Sequence, residues 1–227
     1  MSMKKIGMVV AVEIQSVLKR YMDRLVEEQG TGLKVYSLDL GDKKLYITQS
    51  GAGEIKAAAA TQKLISEFGV DMIVNYGVVG ALVDELKVTH TCVVDRVVHY
   101  DFDTSAYDNC EVGRYIEYDD IYLHTTPKYV ELAKEYDVSI IQATCASADK
   151  FVAEADRKRE LHDRFDASIC DMESAAIVLV CDMNNVPNLL IKTVSDSITG
   201  GAEEFGERLE EAADACFDIM DRIVREI

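Results

Sequence analysis

The chain has no CxxC pair, and its six cysteines (Cys92, Cys110, Cys145, Cys170, Cys181 and Cys216) stand far apart, four of them inside apolar runs. That spacing excludes a disulfide framework and a zinc-finger site and indicates reduced core thiols. The four histidines, His90, His99, His124 and His162, show no HExxH spacing, so no metal site is expected. No apolar run is long enough to span a bilayer. Positive charge is short: 24 Lys and Arg stand against 41 Asp and Glu, a formal net charge of −17. A surface of that sign repels nucleic acid and anionic membrane, and neither is an expected partner. Internal repeats, low-complexity tracts and linker-like segments are also missing. With 227 residues, 48% of them hydrophobic, residues 1–227 are expected to form one globular domain with a full core. Two lysines precede an apolar stretch at residues 6–12, but that stretch is short and Glu13 interrupts it. A first β-strand is expected there, not a secretion signal; the reduced thiols are those expected of a cytoplasmic protein.

What is present alternates between two periods. Residues 6–12 read as a buried strand. Ile14, Val17, Leu18, Tyr21, Met22, Leu25 and Val26 then fall at helical spacing, ending before Gly30 and Gly32. Residues 33–40 and 44–49 alternate around Gly41-Asp42 as a hairpin. An Ala-rich helix (55–68), strands at 72–75, 91–98 and 138–144, helices at 127–136 and 157–165, a strand at 188–194 and a long amphipathic helix at 205–227 follow. Such alternation predicts an α/β fold, a three-layer αβα arrangement around a central mixed sheet. Residues 197–204, with Gly200-Gly201, are the most loop-like stretch and are expected to form a mobile lid.

The stretch Cys170-Asp171-Met172-Glu173-Ser174-Ala175-Ala176 stands out. An apolar run ends there in two acids at alternate positions, and an apolar helix begins. Some twenty residues on, the buried run 188–194 ends in Ser195-Asp196. Acids at the C-terminal ends of neighbouring strands are where open α/β sheets place their sites. Taken singly, Asp171, Glu173 and Asp196 are equally well helix caps; as a set they indicate a site. Ser50-Gly51-Ala52-Gly53 opens a helix and could cradle an anion, but it lacks both the GxGxxG spacing and the Gly-Lys-Ser/Thr of a phosphate loop.

These segments, in order, resemble the nucleoside phosphorylase and nucleosidase superfamily, and within it most of all the 5′-methylthioadenosine/S-adenosylhomocysteine nucleosidases. The resemblance runs along nearly the whole chain. Lys5-Ile6-Gly7 with Ala11 resembles the first strand. Ser50-Gly51-Ala52-Gly53 with Asn75-Tyr76-Gly77 and Gly80 resembles SGxG…NxGxxG. Leu86-Lys87-Val88, Asp95 and His99-Tyr100-Asp101-Phe102-Asp103 resemble LKVGD…YHDxD. Ser147-Ala148-Asp149-Lys150-Phe151-Val152 resembles SGDxFI, Asp171-Met172-Glu173-Ser174-Ala175-Ala176 resembles (E/D)MExxA, and Val194-Ser195-Asp196 resembles (V/I)SD.

The resemblance implies cleavage of a purine N-glycosidic bond without metal or organic cofactor, on a small-molecule nucleoside, by a homo-oligomer, dimer or higher. It implies that Asp196 protonates N7 of adenine, next to Ser195, and that Glu173 holds the ribose hydroxyls and offsets positive charge on the sugar. Met172 would pack on the ribose, Val12 would be a further substrate contact, Phe151 would stack on the purine, the backbone of Val152 would read its amino edge, and Phe205 would cover the 5′ substituent. Three positions depart from the pattern. Gln15 stands where the family's water-activating Glu is expected, Val78 replaces a Ser, and Lys192 replaces an Arg. Glu13 is the acid available to replace the missing base. Hydrolysis is therefore weighed against two alternatives. A phosphate-dependent phosphorylase gains from the loss of that Glu but lacks the Gly-Asp-Pro-x-Arg loop, and Arg20 and Arg24 are expected on the solvent side of the first helix. A non-catalytic nucleoside binder would tolerate Gln15 and Val78, but it has no need of both Glu173 and Asp196.

Overall fold

A computed structural model describes residues 3–227. In chain order its strands are β1 (Lys4–Val10), β2 (Val26–Glu27), β3 (Val35–Asp39), β4 (Lys43–Gln49), β5 (Met72–Ala81), β6 (Thr91–His99), β7 (Tyr122–His124), β8 (Ile141–Ser147), β9 (Ile169–Asp171) and β10 (Asn188–Asp196). The helices are α1 (Ile14–Tyr21), α2 (Glu54–Phe68), α3 (Ser105–Asp108), α4 (Pro127–Tyr136), α5 (Ala155–Phe165), α6 (Ser174–Met183) and α7 (Gly201–Glu226). The result is the expected mixed α/β architecture, with differences at element ends. The first helix stops at Tyr21 in a 3-10 turn, and Val26 then pairs with Ser37 as part of a short edge strand. The strand expected at 138–144 starts later, at Ile141, because the Asp137 carboxylate accepts from the Ser139 amide and hydroxyl and folds those residues into a turn. The segment expected as a lid begins α7 at Gly201, and Glu204 accepts from the amide and hydroxyl of Ser197.

All ten strands belong to one sheet, and part of it closes on itself. β5 pairs in parallel with β10, β10 antiparallel with β6, β6 in parallel with β8, β8 in parallel with β9, and β9 antiparallel with the end of β5. β1 pairs with the first part of the β5 edge that β9 takes at its end, and from β1 the sheet runs out through β4, β3 and β2. Helices α1, α4 and α7 pack on one face through Ile14, Val17, Tyr129, Ala133, Phe217, Met220 and Ile223. Helices α2 and α6 cover the other through Ala57, Ala60, Leu64, Ala175, Ile177 and Val178. Leu161 and Phe165 of α5 join a third cluster with Val98 and Cys170. This is the three-layer arrangement that buries both faces of a largely parallel sheet.

Two features of this topology build the site. β1, β4, β5 and β10 run parallel, so their C-terminal ends share one edge of the sheet. Near that edge β10 carries a bulge: Val194 opposes Val79 and Asp196 opposes Gly80, leaving Ser195 as the extra residue. A bulge re-aims the residues that follow it, here the aspartate.

Candidate active site

A cavity of about 380 Å³ opens at this edge, a size that suits a small organic ligand. Four acids line it: Glu13 from the β1–α1 junction, Asp171 and Glu173 from the β9–α6 junction, and Asp196 from the end of β10. The rest of the wall is mainly apolar, including Val12, Val78, Phe151, Met172, Phe205 and Leu209. No lysine or arginine is among the described residues that line it.

Asp196 is buried, and both of its oxygens are engaged. The Ser195 hydroxyl donates to Oδ1 at 2.9 Å, and Lys158 Nζ donates to Oδ2 at 2.5 Å. Ser195 also bonds the carbonyl of Val79. Gly80 makes room for this group: a Cβ there would lie 3.0 Å from Asp196 Oδ2 and 3.2 Å from Cys170 Sγ.

Glu173 sits at the start of α6, but it does not cap that helix with its side chain. Its Oε1 accepts from the amide of Gly53 at 2.8 Å. Burial, reinforced by the neighbouring Asp171, pushes its carboxyl up to about 7. The capping is done by Asp171, which accepts from the amide and hydroxyl of Ser174 and is paired with Lys192 Nζ at 2.8 Å. Burial alone would raise Asp171; the Lys192 ammonium outweighs it and holds the carboxyl below its usual value. For Lys192 the opposing forces run the other way: burial works against the charge, and Asp171 and Glu173 together raise its basicity. Lys192 thus stands behind the cavity wall, with its charge already committed.

Glu13 is buried at 6% exposure, while Gln15 is exposed. Oε2 of Glu13 accepts from the Val12 amide at 2.9 Å and Oε1 from the Val78 amide at 3.0 Å. Gly77 permits this, since a Cβ there would approach Glu13 Oε1 to 3.0 Å. Gln15, expected on the water side of the site, is not in this cavity. It lines a second one with Ser16, Lys19 and Asp214, which shares Val12, Glu13 and Leu209 with the first. Val78 lends its backbone N–H, so the missing Ser hydroxyl does not leave that position without a polar group.

The aromatic side of the cavity is formed by Phe151 and Phe205, packed edge to face at 5.2 Å between centroids. Phe151 is 40% exposed, which leaves a face free for a ligand. Val152 is buried and lines a small recess adjoining Phe151, Met172 and Asp196. The helix N-terminus that resembled a phosphate cradle is occupied by protein carboxylates: the Gly53 amide serves Glu173, and the Glu54 amide serves Asp149 Oδ1 at 2.7 Å. Arg20 is bound to Asp218 and Arg24 to the carbonyl of Asp39, both outside the cavity.

A model of the Phosphorylase superfamily matches residues 5–225. The chain belongs to that superfamily. It is 29% identical to the 5′-methylthioadenosine/S-adenosylhomocysteine nucleosidase of Staphylococcus aureus (strain JH9), over 98% of this chain and 100% of that one. Among solved structures it resembles the Helicobacter pylori nucleosidase of the same name, in complex with a pyrrolidinol that carries a 4-amino-pyrrolopyrimidine, with a TM-score of 0.93, 27% identity and full coverage of both chains. It is similar in the same degree to the futalosine hydrolase of Helicobacter pylori, with a TM-score of 0.92, 28% identity and 99% coverage of each.

Two buried groups behind the site have no counterpart in the motifs. Lys158, fully buried on α5, pairs with Asp196. Glu54, at the start of α2, accepts from the Ser147 hydroxyl at 2.7 Å and the Ala176 amide at 2.5 Å; burial pushes it up to about 8. Lys158 left one trace in the sequence: it shares the i, i+3, i+7 stripe with Leu161 and Phe165, the buried face of α5.

Proposed function

We propose that this protein hydrolyses the N-ribosyl bond of 5′-methylthioadenosine or S-adenosylhomocysteine, releasing adenine and the thioribose product. The observation that carries this is a cavity lined, among the described residues, by four acids and by no cation, with Lys192 and Lys158 already paired to Asp171 and Asp196. Such a wall favours a ribosyl group that becomes cationic as the base departs, and it repels phosphate. Phosphorolysis would need cations at the anomeric carbon.

In this reading Asp196 delivers a proton to N7 and turns the purine into a neutral leaving group. Glu173 accepts from the ribose hydroxyls, and its charge counters the oxocarbenium-like sugar. Glu13 takes the proton of the attacking water. Its two backbone donors, Val12 and Val78, fix the carboxylate without using a side chain that would compete for that water. Phe151 stacks on the purine and the backbone of Val152 meets its amino edge. Met172 and Val12 pack on the ribose, and Phe205 with Leu209 covers the 5′ substituent. Ser195 orients the acid, and Lys192 holds Asp171. No cofactor enters the scheme. A cytoplasmic homo-oligomer made of one domain per chain is part of the same proposal, and light scattering on the purified protein tests the assembly.

The test is base release, read by chromatography, from methylthioadenosine, S-adenosylhomocysteine, adenosine and inosine, with and without phosphate. Rapid adenine release from the first two, unchanged by phosphate, is the expected result. Dependence on phosphate would make the protein a phosphorylase, and binding without turnover would make it a non-catalytic nucleoside binder.

A further inference from the structure

The buried lysine behind Asp196 asks for an explanation that packing does not give. Lys158 has no exposed surface, comes from a helix 38 residues upstream, and places Nζ on Asp196 Oδ2 at 2.5 Å and on the Ser197 carbonyl at 2.7 Å. It shares the buried face of α5 with Leu161 and Phe165, where an apolar side chain would fill the same space. Desolvating an ammonium is costly, and a buried ion pair is often matched or bettered by apolar residues of similar volume. Lys158 does not line the cavity, so it does not touch a ligand there.

We propose that Lys158 is a positioning residue that acts through Asp196, fixing the direction in which the proton donor faces the cavity. This rests on the assignment of Asp196 as the acid. With Oδ1 held by Ser195 and Oδ2 by Lys158, the carboxyl cannot turn about its Cβ–Cγ bond. The second effect is electrostatic. As the C1′–N9 bond breaks, its electron pair moves into the purine and the Asp196 proton passes to N7. Water oxygen bonds to C1′, and its proton goes to Glu13. Asp196 becomes a carboxylate in that process, with the Lys158 ammonium already in contact with its Oδ2. A fixed opposite charge beside the place where charge appears stabilises the transition state. Lys158 therefore lowers the barrier to proton transfer.

The experiment uses the full chain with Lys158→Met, Lys158→Gln and Lys158→Arg, alongside Asp196→Asn. It records thermal unfolding together with kcat and KM on methylthioadenosine from pH 5 to 10. Lys158→Met is expected to fold. Its kcat at pH 7 falls about 10- to 100-fold, within the range of general acid help, and KM changes little. Lys158→Arg restores most of the rate. Should Lys158→Met not fold, Lys158→Gln, which keeps a donor and loses the charge, carries the same expectation of a lower kcat at little-changed KM. Wild-type kcat in the neutral variants overturns the role of Lys158 alone. Full turnover by Asp196→Asn overturns the acid assignment and the role of Lys158 with it. A wild type that releases no adenine refutes the proposed function, and this inference falls with it.

Discussion

Glu13 and Gln15 show how a two-residue offset decides which side chain lines the cavity. In the linear motif the water-activating acid belongs at position 15, and Gln15 would leave the site without a base. In the fold, Glu13 sits at the entry to α1 and turns inward onto the Val12 and Val78 amides, while Gln15 lies in the first helical turn and is exposed. Two residues along a helix amount to a rotation of about 200°, so a sequence offset cannot say which side chain faces the cavity. Glu13→Gln is expected to lower kcat on methylthioadenosine at least about 100-fold with little change in KM, as for loss of a base that acts in the transition state. Gln15→Ala should leave both constants within twofold, roughly the neutral range for a surface change. A large loss in the second variant and none in the first would return the base to position 15. Asp196→Asn should cost about 10²–10⁴ in kcat, because Asn has no acidic proton to give. The acids themselves were legible, since polar residues at the ends of buried strands have no packing reason to be there. Lys158 was not, because α5 carries Arg157, Arg159 and Arg164 beside it and only the helical period singles it out.

At the level of elements, the site is a set of chain ends tied to one another. The start of α2 gives the Gly53 amide to Glu173, and the start of α6 is capped by Asp171, which β10 neutralises through Lys192. The long strands and helices followed from their periods of apolar residues, but the short β2, α3 and β7 did not. The pairing order did not: nothing local says that β5 gives its edge first to β1 and then to β9, or that this closes five strands into a ring. The ion pair between β10 and the β9–α6 junction gives this arrangement a measurable consequence. Lys192→Met would leave the Asp171 carboxylate buried without its cation, and the expected loss is about 3–5 kcal/mol in denaturant unfolding. Adding Asp171→Asn, which keeps an acceptor for Ser174 without the charge, should recover much of it. If the single variant unfolds like the wild type, the pair does not hold the junction together. The departure from the family's Arg at position 192 fits a short reach: a point charge on one carboxylate needs an ammonium, not a fork of donors.

For the whole molecule, the buried acids and the excess of acidic groups behind the chain's net charge of −17 act in the same direction as pH rises. Burial pushes Glu54 up to about 8 and Glu173 up to about 7, each from an ordinary value of 4.5. In the unfolded chain both carboxyls lose their protons near that ordinary value. Between about pH 4.5 and pH 8 the folded protein therefore holds protons that the unfolded chain has released, and stability falls as pH rises through that window. Self-repulsion of the acidic surface has the same sign. Asp171 works in the opposite sense: its carboxyl is held below the usual range, so its contribution is lost only when pH falls below about 4. The melting temperature without ligand is thus expected to be highest near pH 5 and to drop toward pH 8. Glu54→Gln separates the inner contribution from the outer one. An amide in that place can still accept from Ala176 and meet Ser147, but it has no proton to lose, so the fall between pH 5 and pH 8 should become shallower while the melting temperature at pH 5 changes little. Calorimetry of wild type and variant across that range decides it. A variant that follows the wild-type slope would place the pH dependence on the surface and would mean that Glu54 is already ionised in the folded protein at neutral pH.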